Sequence, residues 1–282
     1  MVDQGIPLGL ACPQGLLQRI KHELGVHGTA DAPADDVTGE HIDDEGNVHE
    51  PLPGRDIRKV ADPELIWALS HELPNGLLPD MPWRDTTLGV DVGSRFHYRV
   101  SSTGTDGHRY VRAMGSVESW TDLDVLMARY SVRLAVVDAF PEQHAARAFV
   151  DRHPGRAVTA TYPTSNALKG VIFSPEHQKA VADGRVSINR TMAMDAVSTL
   201  VGTAAERWPA AIHNDPEVVE HMTAPVRVAV LDAHGQPRAD WVHTKPDHLF
   251  HASVYDAVAR ALLPSDVPLV APGGTTQTSA WR

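Results

Sequence analysis

Apolar and polar positions alternate along this chain with two different periods, and the change of period marks its parts. Leu65, Ile66, Leu69 and Leu73 recur at helical spacing, which predicts an amphipathic helix over 62–73, with Asp62 as N-cap and Pro63 in the first turn. A shorter helix is expected over 14–24. From Thr87 the pattern turns to strands. TLGVDVG, FHYRVSS and GHRYVRAMGSV are short, largely apolar runs separated by Gly-containing turns, which predicts an antiparallel meander. Leu123, Leu126 and Met127 then predict a helix over 120–130. LAVVDAF reads as a buried strand, 142–151 as a helix stopped by Pro154-Gly155, and AVTATY as a further strand. Three strands, helix, strand, helix, strand is the order of an α/β sheet with a meander at one edge and crossover helices after it. Beyond it a strand over 184–189, a helix over 191–203, a hairpin of 226–232 with 241–243, and a long helix over 247–262 are expected.

Charge divides the chain differently. The 282 residues carry 25 Lys and Arg against 36 Asp and Glu, a net charge of −11. Nine of the acids and a single Arg lie between Asp31 and Asp56, so this stretch supplies −8 of the total. It is rich in Gly and Pro and poor in aliphatic residues, too little apolar area to offset the entropy of ordering. A flexible linker is therefore expected. Its DDEGN segment lacks the ligand spacing and closing Glu of an EF-hand. The organisation read from these patterns is a helical segment over 1–85 with an acidic loop at 31–56, a main domain over 86–264, and a flexible tail over 265–282. A nearly neutral main domain is compatible with a nucleic-acid substrate, but not with a protein that coats DNA by bulk charge. The lone Cys12 excludes a disulfide framework and a cysteine zinc site. Apolar runs fall short of a membrane span and no secretion signal is read, so a soluble, intracellular protein with no membrane partner is expected.

Three acids stand at positions where chemistry is plausible: Asp91 inside LGVDVGS, Asp138 at the end of LAVVDAF, and Asp247 at the start of the last helix. In the strand order above, strands one and four can be neighbours. Asp91 and Asp138 would then face one another at one end of the sheet, and a docking helix could add Asp247. An Asp closing an apolar strand is costly unless paired, hydrogen-bonded or ligating. Carboxylates gathered in a low-dielectric site repel, and a divalent cation relieves this. Mg²⁺ and Mn²⁺ take oxygen ligands, and a pair of such ions suits phosphodiester hydrolysis. Singly, each acid is better explained as the cap of a strand or helix; their joint placement in this strand order reverses that.

The segments LGVDVGSRFHYRVSS, VRLAVVDAFPEQHAARAFVDRHPGRAVTATYP, VSINRTMAMDAV and KPDHLFHASVYDAVARA resemble the nuclease domain of tailed-bacteriophage terminase large subunits, of the ribonuclease-H-like superfamily. The second segment carries most of it: an apolar strand ending in Asp, Pro-Glu, an Ala/Arg-rich helix, Pro-Gly, a strand and a Tyr. The resemblance implies a ribonuclease-H-like mixed sheet flanked by helices, with Asp91, Asp138 and Asp247 as catalytic metal-binding acids for two Mg²⁺ or Mn²⁺ ions. It implies an endonuclease cutting concatemeric double-stranded DNA during packaging, in the cytoplasm of a bacterial host and encoded by a phage or prophage. No G-x-x-x-x-G-K-[ST] motif is found. The chain then reads as a nuclease half encoded alone, a fragment or a degenerate relic, and packaging would require an ATPase on a separate chain, beside a portal and a small terminase subunit.

Secondary candidates are fewer. His251, one turn beyond Asp247, is read as a packing or supporting residue, with ion ligation as the alternative. Arg95 and Lys245 are weak candidates for DNA-backbone contacts. Glu142 is read as complementing a helix dipole, with peripheral ion ligation as the alternative, Asp195 as a surface acid or partner of Arg190, and Asp256 as solvent-facing. Two other functions compete. Asp-Val-Gly-Ser at 91–94 resembles the first phosphate loop of actin-like and sugar-kinase-like ATPases, but the one Gly-Gly, Gly273-Gly274, lacks the acid of a second loop. A non-catalytic assembly module that keeps the fold is the other.

Overall fold

A computed structural model describes residues 41–42, 48–49, 58–59, 63–69, 73–163, 181–231, 237–243 and 245–263. The helix expected over 14–24, Asp62, most of the acidic stretch and the tail lie outside these residues. Two short strands within the acidic stretch, β1 (His41–Ile42) and β2 (Val48–His49), pair antiparallel. β3 (Arg58–Lys59) follows, and then helix α1 (Pro63–Ala68), shorter than the expected 62–73. Pro74 disfavours helical backbone at the residue before it, and Leu73 is extended there (φ −87°, ψ 125°). Ile66, Leu69 and Leu73 are nevertheless buried, as their spacing predicts.

The main sheet begins with the meander β4 (Arg84–Val92), β5 (Phe96–Thr103) and β6 (Arg109–Val117). Helix α2 (Trp120–Arg129) leads to β7 (Leu134–Asp138), and helix α3 (Gln143–Arg152) to β8 (Ala157–Thr161). β9 (Arg185–Ser187), helix α4 (Arg190–Gly202) and β10 (Glu206–Arg207) come next. The seven strands are ordered β10-β6-β5-β4-β7-β8-β9. β4, β5 and β6 are antiparallel, whereas β7, β8 and β9 run parallel to β4 and to one another. This is the ribonuclease-H-like mixed sheet flanked by helices. Short helices α5 (Ala210–His213) and α6 (Pro216–Thr223) follow, then the hairpin β11 (Pro225–Leu231) and β12 (Pro237–His243), with β3 on the free side of β11. Helix α7 (His248–Leu262) closes the described chain. None of the described helices is long and apolar enough to cross a membrane.

Strand periodicity explains the layering. Along β4 the even positions Leu88, Val90 and Val92 join Leu123, Leu126 and Met127 of α2 and Ala146, Phe149 and Val150 of α3 in one core. The odd positions Thr87, Gly89 and Asp91 face α7. A Cβ on Gly89 would lie 2.0 Å from the Ala252 carbonyl oxygen and 2.2 Å from the Asp256 nitrogen, so the glycine admits the helix backbone directly onto the strand. Around this contact α7 packs with Leu134, Val136, Val158, Met194, Val197 and Met222 in the second core.

The seam between α7 and the meander is polar. Asp256, expected to face solvent, is 1% exposed and forms ion pairs with Arg99 and Arg109. Thr87 and Ser101 also donate to it, and Arg99 pairs in addition with buried Glu206. The expectation fails because α7 is covered nearly all round by the sheet and by α4 and α6. Its polar positions then need partners rather than water.

Candidate metal centre

Register alone brings the first two acids together. Val90 pairs with Val137 in the parallel β4–β7 ladder, so the next positions, Asp91 and Asp138, are neighbours at the carboxyl ends of adjacent strands. In the antiparallel β4–β5 ladder Asp91 stands opposite His97, and in the β7–β8 ladder Asp138 stands opposite Ala160. One row across the sheet thus reads His97, Asp91, Asp138. Neighbouring strands are about 4.8 Å apart. Burial raises the Asp138 carboxyl most and the nearby Asp91 charge adds to it, against the Phe140 amide that donates to Oδ1 at 3.0 Å. The result is a group pushed up to about 6.

Asp247 comes from the N-terminal end of α7, which Gly89 lets settle on β4. It is the N-cap by position, but its side chain makes no capping bond. Its buried Oδ2 lies 3.3 Å from His243 Nδ1 and 3.4 Å from His251 Nε2. Neither contact has hydrogen-bond geometry, so among the described residues this oxygen has no hydrogen-bond partner. Burial would raise this carboxyl, and the two imidazoles outweigh it and hold the group well below the usual carboxylate range. His251 therefore touches Asp247, and its Nδ1 lies 3.3 Å from the Tyr162 hydroxyl. The adjacent His248 reaches the first acid, with Nδ1 2.9 Å from Asp91 Oδ2. That bond is the main cause of its raised pKa.

The chain is similar to several solved nuclease structures of phage large terminases. The large terminase nuclease of thermophilic phage G20c, solved with bound magnesium, has 13% identity, with 64% of this chain and 82% of that chain covered and a TM-score of 0.40. The nuclease domain of the large terminase subunit of bacterial virus Sf6, solved with manganese, has 10% identity, with 74% and 100% covered and a TM-score of 0.45. The yeast mitochondrial Holliday junction resolvase is more distant, at 10% identity, 71% and 86% covered, and a TM-score of 0.29. The sequence matches no protein-family model and no curated protein.

The site also contains His97, Glu217 and His221, which the sequence patterns did not single out. Asp91, His97 and His248 offer ligand atoms that all lie within 4.8 Å of one another, and so do His97, Glu217 and His221. Glu217 and His221 come from α6, whose Asp215 side chain caps the Glu217 amide at 2.9 Å and whose Pro216 fills the first turn. The rings of His97 and His248 stack at 4.6 Å, and His221 lies 5.3 Å from His97. Burial, then the neighbouring imidazole His248, pushes the His97 pKa down, and burial does the same to His221.

The remaining candidates lie around this core. Arg95 is half-exposed, 3.2 Å from Glu118 and 3.9 Å from Glu217, and Lys245 lies 3.7 Å from Glu220. Glu142 accepts a bond from the Trp120 indole at 2.8 Å. Asp195 binds Arg227 at 2.7 Å and the buried Trp241 indole at 3.0 Å, where a surface acid or a partner of Arg190 is expected from the sequence. Arg190 turns instead to the Trp241 carbonyl and to Asp240.

Proposed function

We propose that this chain is a metal-dependent endonuclease of the phage-terminase type that hydrolyses phosphodiester bonds of double-stranded DNA. The observation that carries the reading is the row in which Asp91 and Asp138 end adjacent parallel strands beneath the helix start that bears Asp247. In this reading Asp91, Asp138 and Asp247 hold two Mg²⁺ or Mn²⁺ ions. By donor type the three acids suit such ions, because they offer carboxylate oxygens and include the buried Asp247 Oδ2 with no hydrogen-bond partner among the described residues; together they are not among the described groups whose ligand atoms already converge within 4.8 Å. When bound, the ions supply Lewis-acid activation of water and neutralise charge at the phosphate.

The protein's own part is orientation. His248 fixes the Asp91 carboxylate, the Phe140 amide aims Oδ1 of Asp138, and His243 and His251 hold the Asp247 charge in place. Arg95 and Lys245 meet the DNA backbone, contacts that give register rather than sequence preference. The biological setting in this reading is the cutting of concatemers during genome packaging in a bacterial host. A packaging ATPase, a portal and a small terminase subunit are the partners.

The test is nicking of supercoiled plasmid with Mn²⁺ or EDTA, with Asp138→Asn alongside. Wild type should nick only with metal, and the variant should stay at the EDTA background. Metal-independent nicking, no nicking, or equal nicking by the variant would each overturn the reading.

A further inference from the structure

We propose that His97, Glu217 and His221 form a second metal site, distinct from the three acids, for a late first-row divalent cation of the Zn²⁺ class. Their ligand atoms converge within 4.8 Å, and His97 Nε2 lies 3.5 Å from Glu217 Oε1. His97 is 7% exposed and His221 6%, and among the described residues Nδ1 of each ring has no hydrogen-bond partner. A buried imidazole carries one N–H and one lone pair, and packing alone satisfies neither. Two such rings 5.3 Å apart, with a carboxylate beside them, provide the donors that a cation would use.

The chemistry of the donors selects the ion. Imidazole suits Zn²⁺, Ni²⁺ and Cu²⁺, whereas Mg²⁺ prefers an all-oxygen shell, so the two sites take different metals. Two His and one Glu are a known ligand set for zinc, leaving a fourth position for water. His97 is opposite Asp91 on the neighbouring strand, and His221 and Glu217 are one turn apart on α6. A cation here ties that short helix to strand β5 beside the carboxylate row. Arg95, 3.9 Å from Glu217 Oε1, keeps Glu118 as its nearer partner when the cation binds.

The site can be tested without any nuclease readout. The full chain is stripped with chelator and titrated with Co²⁺, whose visible bands report low-coordinate imidazole ligation, and then with Zn²⁺ as competitor. One equivalent should account for the bands, Zn²⁺ should abolish them, and excess Mg²⁺ should not. Glu217→Gln, at a partly exposed position that tolerates the change, should weaken Zn²⁺ binding by more than the roughly 10- to 100-fold seen when an outer partner of a ligand is lost. His221→Gln should abolish the bands, and Asp138→Asn should leave them intact. No binding, binding unaffected by Glu217→Gln, or binding abolished by Asp138→Asn would overturn the proposal. Failure of plasmid nicking leaves this measurement untouched, so the two readings fail separately.

Discussion

Replacing Gly89 with Ala tests whether the centre is built by direct contact of helix α7 with strand β4. The new methyl would sit 2.0 Å from the Ala252 oxygen, 2.2 Å from the Asp256 nitrogen and 2.8 Å from the Tyr255 carbonyl carbon. All three are backbone atoms, so no rotamer change relieves the overlap. Restoring 3.4 Å, where ordinary contact begins, requires α7 to withdraw from the sheet by about 1.4 Å. Overpacking of this kind costs about 1–3 kcal/mol. In a domain of this size each kcal/mol lowers Tm by roughly 2–4 °C, so a drop of about 2–12 °C is expected. The same withdrawal carries Asp247 and His248 away from Asp91, and a misplacement near 1 Å can cost about 100-fold in rate. Differential scanning fluorimetry and Mn²⁺-dependent nicking read the two effects. Gly202→Ala is the control. It closes α4 with nothing within 4 Å of the added Cβ, and it should gain up to about 1 kcal/mol from helix propensity. A Gly89→Ala protein as stable and as active as wild type would refute the close-contact account.

Other outcomes follow from the same geometry. Asp256→Ala leaves Arg99 and Arg109 buried beside an empty position, which should cost about 3–5 kcal/mol in urea unfolding. Asp195→Ala strips the acceptor from the buried Trp241 indole and from Arg227. It should lose about 1–3 kcal/mol in the same assay while leaving metal-dependent nicking per folded molecule unchanged. Adding Mn²⁺ to chelated protein should raise Tm, by about 2.7 kcal/mol of stabilisation at 100 times Kd. The gain should shrink in Asp138→Asn, as thermal shift will show.

The acids on the strands were legible because each breaks an apolar run at a strand end, where burial demands a partner. Their adjacency also followed from strand order, since the meander and the crossover leave β4 and β7 side by side. The helix ends were less legible. Leu73 lies on the predicted apolar face and is buried, yet Pro74 stops it from being helical. The burial of Asp256 is not legible because an amphipathic pattern implies that a helix keeps one face in water, and α7 does not. The grouping of the histidines was not legible. His97, His221 and His248 come from a strand and two helices far apart in the chain, and no spacing rule links them. Helix α6, which delivers two of the ligands proposed for the second site, did carry a signal in Asp215-Pro216. At eight residues, however, the helix is too short for a helical period to show in the sequence.

The buried ion pairs of Asp256 have a consequence for precision. Apolar contacts between a helix and a sheet are permissive, since a leucine that slides by a turn finds other carbons to touch. A carboxylate between Arg99 and Arg109 has no such freedom. Sliding α7 by one turn, about 5.4 Å, would carry the acid off both guanidinium groups and leave Asp256 and Arg109 unpaired out of water, with Arg99 keeping only Glu206. The helix therefore has one seating on the sheet rather than a range of them. Its N-terminal end, more than two turns from that lock, inherits the same tolerance. An ion pair far from the carboxylate row thus serves as an indexing pin for Asp247, and its removal should show as a loss of alignment even in molecules that remain folded.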